Sequence, residues 1–204
     1  MLRNEWYRKL IQMGACDPSL DWVESQEEDA NGQRLWESCP KADWRLWVFG
    51  YANPGPHPAM AKIFLELIQM LIPAWDAVMQ GSERQLIQRG VTLLDAAATM
   101  SSQDMHTYDQ LRDLEREVDL IFLRGAGARV DALASALSHA LFVVRNQRWV
   151  STNRNSAGRQ SATRAALVGL RVLQALPAEC GDAHAVVCKI IDKHVTWGDL
   201  DGKI

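Results

Sequence analysis

The chain has 204 residues, enough for one sizeable core or for two small units sharing an interface. At 48% hydrophobic and 23% charged it lies outside the compositions that stay disordered, and its net charge is −3. No run of about 18 consecutive apolar residues offers a membrane span. The amino terminus lacks the apolar stretch of a secretory signal, and four cysteines without a C-x-x-C pair do not make a disulfide framework. A cytoplasmic protein with reduced thiols is expected.

In chain order, Leu2, Trp6, Leu10 and Met13 fall at helical spacing, and Gly14 ends that helix. Asp17-Pro18 opens a second helix carrying Leu20 and Val23. The acidic run Glu27-Glu28-Asp29, with Asn31-Gly32, is a solvated turn before a short third helix with Leu35 and Trp36. Pro40 opens a fourth, in which Trp44, Trp47, Val48 and Tyr51 recur at i, i+3, i+4 and i+7, with Leu46 and Phe49 on the other side. A helix apolar nearly all round belongs at a buried centre. A central strand competes for this segment, but its neighbours all have helical period.

The prolines of residues 53–58 mark a hinge between a Trp-rich helical part (1–52) and a helical bundle packed on it (59–204), the two expected to form one compact unit. Helices are expected over 58–80, with a kink at Pro73, then over 82–99, 104–124, 128–145, 161–176 and 181–195. The polar stretch 146–163, rich in Asn, Ser and Gly, reads as a long loop or frayed helix start. The fold class is therefore all-α, a bundle-like arrangement of about eight to ten helices. Its amino-terminal core is expected to contain Trp22, Trp36, Trp44 and Trp47 in mutual contact, with Cys16 and Cys39 packed beside them.

Catalytic and metal signatures are sparse. Cys180, His184 and Cys188 are spaced by four, followed by Asp192. Adjacent members could share an ion, but all three could not, because eight residues of helix rise about 12 Å. The other reading is a helix with Val187, Ile190 and Ile191 inward and Cys and His at its border. His57, His106 and His139 have no positioned nucleophile, and Gly125-x-Gly127 lacks the strand and third glycine of a dinucleotide loop. The interleaved charges of residues 112–119 suit a solvated helix face. No catalytic residue, cofactor or metal is assigned; a cryptic metal-dependent enzyme would be sought at His57 or at Cys180 and His184.

Charge is distributed unevenly. Between Asp131 and Glu179 there is no acidic residue, yet six arginines fall there, leaving 16 basic against 25 acidic residues elsewhere. Arg145, Arg148, Trp149, Arg154 and Arg159 are the expected partner-binding residues, since Arg and Trp are frequent interface anchors. The same segment could stack on RNA or single strands, but the acidic body disfavours a dedicated nucleic-acid binder. Its arginines could equally be matched by acids within the molecule. A second copy could pair through the 104–144 helices.

Ala15-Cys16, Leu20 and Trp22, then Leu35-Trp36-x-x-Cys39-Pro40, then Asp43-Trp44-x-Leu46-Trp47, resemble a family of immunity proteins from bacterial toxin–immunity systems, with relatives in phages. The resemblance covers about forty residues and is weak beyond them. It implies a small α-helical protein that binds and neutralises another protein (a toxin, nuclease or host-defence effector), and it brings no catalytic residues. The matching residues are large and apolar, so they are expected to be scaffold.

Overall fold

The computed structural model describes residues 2–54, 57–99, 105–124, 127–147 and 154–204. Among the described residues ten α-helices pack together: α1 (Arg3–Met13), α2 (Asp17–Glu24), α3 (Gly32–Ser38), α4 (Ala42–Ala52), α5 (Pro58–Trp75), α6 (Gly81–Thr99), α7 (Met105–Arg124), α8 (Ala128–Gln147), α9 (Arg154–Ala175) and α10 (Ala183–His194). No strand occurs among the described residues, and the Trp44–Tyr51 segment is helical. Gly14 ends α1 in the left-handed region (φ 87°), where a side chain would be strained. Asn31 and Asp182 cap α3 and α10 through their side chains.

The alanine- and leucine-rich α8 lies at the centre, bounded by α5, α6, α7 and α9. Leu133, Leu137, Ala140, Leu141 and Val143 are fully buried there. α5 is long and apolar enough by length and composition to cross a membrane, and half of it is buried against its neighbours.

α4 packs chiefly against α9 and α10. The α4/α9 crossing is antiparallel and very close, because glycine and alanine occupy it. A Cβ on Gly50 would stand 3.1 Å from Ala162 Cα, and one on Gly169 would stand 3.2 Å from Asp43 Cα. This explains why, of the stretch read as a long loop or frayed helix start, the described residues are helical: α8 continues to Gln147 and α9 begins at Arg154. The small residues of that stretch are there to let two backbones approach, and that packing outweighs their weak helix propensity.

The first three helices form a thinner layer. Trp6 meets Trp197 with ring centroids 5.6 Å apart, and Lys9 Nζ donates to the Ile204 carbonyl. The carboxyl-terminal residues thus pin α1 to the body. Arg45, 2% exposed, is the largest fully buried side chain.

Candidate functional site: a tryptophan-lined cleft

The expected tryptophan cluster forms, with Trp22 and Trp47 packed against the core beside Trp36, but it is not fully closed. Trp36 is buried (3% exposed), but Trp22, Trp44 and Trp47 are only half-buried, Cys39 likewise, and Cys16 is exposed. They line a cleft of about 210 Å³ open to solvent. α1 contributes Trp6 and Leu10, α2 contributes Trp22 and Val23, α3 contributes Leu35 and Trp36, and Ala166 of α9 closes the wall. On α4, Asp43, Trp44, Trp47 and Val48 form one stripe facing it, while Leu46 and Gly50 face α9. A helix apolar on both sides can serve a core with one and a cleft with the other. Of the residues carrying the resemblance, all but Leu20, Pro40 and Leu46 line this cleft.

The aromatic rings meet at angles. Trp22 and Trp44 have centroids 6.4 Å apart with planes at 55°, and Trp47 leans on Tyr51 at 5.9 Å. Three polar groups complete the wall. Ser19 Oγ donates to the Cys16 carbonyl at 2.7 Å. The Arg45 guanidinium lies 4.5 Å over the Trp36 ring and binds both carboxylate oxygens of Asp192, so its charge is matched. The Asp43 side chain, 14% exposed, sits in the first turn of α4, where the helix dipole favours it. Its nearest cationic candidate, His184 Nδ1, is 3.9 Å away and already accepts the Ala42 N–H at 3.3 Å.

Two half-buried thiols, Cys39 on the cleft wall and Cys188 on α10, are held in the neutral form by burial. Burial pushes Cys39 up to about 11 and raises Cys188 as well. All four cysteines are free, and among the described residues no group of three His, Cys, Asp or Glu is placed to hold a metal ion. Cys180 lies in the turn before α10, exposed, while Cys188 is half-buried within the helix.

Of the predicted partner-binding residues, only Arg145 and Arg159 have described side chains. Arg145 turns inward: it pairs with Glu115 at 2.9 Å, each side chain 15% exposed, and lies 5.1 Å from the Phe142 ring centre. Arg164 stacks on the same Phe142 at 4.6 Å and donates to His139 Nδ1 at 2.9 Å. Arg148 and Trp149 lie outside the described residues, and Arg154 is the first residue of α9. Arg159 is exposed on α9. For Arg145, the internal match with an acid of α7 is the outcome. His57 packs edge-on against Phe49 at 5.0 Å, His139 contacts Arg164 from α8, and the side chain of His106 lies outside the described residues.

Sequence reasoning missed the cleft because a Trp-rich stripe on a helix has the same spacing whether it packs inward or lines a hollow. The available signal was Asp43, a carboxylate inside an otherwise apolar stripe. No family model, curated protein or solved structure matches the chain.

Proposed function

We propose that this chain is a non-enzymatic, cytoplasmic binding module that neutralises a partner protein by taking an anchor of that partner into the tryptophan cleft. One observation carries the reading: the residues that resemble immunity proteins line an open concave surface. Concave apolar surfaces with a few placed polar groups are where proteins bind ligands and partners, and Trp is prominent among residues that dominate binding energy. The cleft replaces the arginine segment as the favoured site, because Arg145 is consumed within the molecule. The partner class is a toxin, nuclease or defence effector, as the resemblance implies.

The test is affinity capture from a lysate of the encoding host, with and without nuclease treatment. Wild-type protein should retain one protein through nuclease treatment, Arg159→Glu should retain it too, and Trp22→Ala/Trp44→Ala should lose it. Retention by the double tryptophan variant would remove the cleft from the reading. Loss of every partner after nuclease treatment would move the function to nucleic-acid binding, and a stoichiometric transition metal in purified protein would reopen catalysis.

A further inference from the structure

The cleft combines tryptophan walls with a carboxylate, Asp43, whose nearest basic group is the His184 ring 3.9 Å away. Asp43 is largely withdrawn from water, and no hydrogen bond to its side-chain oxygens occurs among the described residues. The ring nitrogen of His184 facing it is occupied by a backbone N–H, and the buried Arg45 is committed to Asp192. From this we infer that the cleft is a receptor for an alkylated ammonium group, such as a choline-type head group or a methylated lysine side chain. The inference rests on the cleft being the binding site.

Three physical arguments select that chemistry. The negative π faces of indole attract a cation, and Trp is the best aromatic for it. The stacking of Arg45 on Trp36 is the same interaction already made within this wall. Next, an unalkylated ammonium brings three N–H donors that must each find an acceptor. The wall supplies little beyond Asp43, since the Ser19 hydroxyl is spent on Cys16. Methyl groups remove that demand and add apolar surface for Trp22, Trp44 and Trp47 to cover. Finally, the volume of about 210 Å³ is below the range of roughly 300–1,000 Å³ typical of drug-sized ligand sites. It suits a head group or one side chain, not a whole cofactor.

The inference is tested on the full chain by calorimetry and tryptophan fluorescence. The probes are choline, tetramethylammonium, a peptide bearing trimethyl-lysine, and 3,3-dimethylbutanol, the uncharged isostere of choline. Saturable binding of the cations is expected, with the neutral isostere at least about tenfold weaker. Asp43→Asn should weaken choline by a similar factor while the circular dichroism melt stays put. Tighter binding of the peptide than of choline assigns the group to a partner protein, and the reverse order assigns it to a free small molecule. Equal affinity for the isostere, or no saturable binding of any ammonium probe, overturns the inference. So does an Asp43→Asn variant that binds like the wild type. If capture of a partner still depends on Trp44 after such a result, the binding-module reading stands and only the ligand chemistry falls.

Discussion

Trp36 and Trp44 are eight residues apart in sequence and differ in what surrounds them. Trp36 is 3% exposed with a guanidinium over its face, whereas Trp44 is half-buried at the cleft wall. Trp36→Ala should therefore cost about 3–5 kcal/mol, the range for emptying a large aromatic site, while Trp44→Ala should cost about 1–2 kcal/mol because its site is already open to water. Urea denaturation of the two variants measures the contrast; equal losses would place Trp44 in the core after all. His139 gives a pH prediction. Burial first, then the neighbouring Arg164 and Arg171, lower its pKa from 6.5 to about 4. The folded protein keeps the ring neutral while the unfolded chain takes up a proton as pH drops below 6.5. Its stabilising contribution is thus complete above pH 6.5 and is lost progressively as pH falls from there through 4. Burial of Glu115 raises its pKa and acts with the opposite sign, so a comparison with His139→Gln is needed. The urea midpoint should fall less between pH 7 and 4.5 in His139→Gln than in wild type.

At the scale of elements, the α4/α9 crossing decides the fold. A Cβ on Gly50 meets backbone atoms of Ser161 and Ala162 at 3.1 Å, and backbone cannot swing aside as a side chain can. Gly50→Val should destabilise by about 1–3 kcal/mol through overpacking, read as a lower melting temperature. The early start of α9 has its own test. Gln160 is exposed and interior to the helix, so Gln160→Pro should cost about 3 kcal/mol or more, while Gln160→Ala should be neutral or slightly stabilising. In a loop both substitutions would be tolerated. Sequence periodicity placed α5, α6, α7, α8 and α10 within a few residues of their observed bounds, because each carries an apolar stripe of leucine, isoleucine or valine. It started α9 at residue 161 and not at Arg154, because the buried face of that first part is written in Gly, Ser and Ala, which look like loop residues when their neighbour is unknown.

For the whole molecule, the parts on either side of the 53–58 prolines are expected to behave as one compact unit. α4 packs chiefly on α9 and α10, and the carboxyl-terminal Trp197 and Ile204 hold α1. Unfolding followed by far-ultraviolet circular dichroism and by tryptophan fluorescence should coincide in one transition. Two separated transitions would show residues 1–52 melting as their own unit.

The all-α class, most helix positions and the tryptophan-rich window were legible in the sequence, because period and breakers are local properties of a chain. The tertiary structure alone decided where the tryptophans point. Whether α4 turns Trp44 and Trp47 into a core or onto a cleft depends on how closely α9 approaches its opposite face, and Gly50 and Gly169 set that distance from helices over a hundred residues apart. The same holds for charge. Composition showed an arginine-rich segment without acids, but only the fold brought Glu115 to Arg145 and Asp192 to Arg45, and set Asp43 on the cleft wall 3.9 Å from His184.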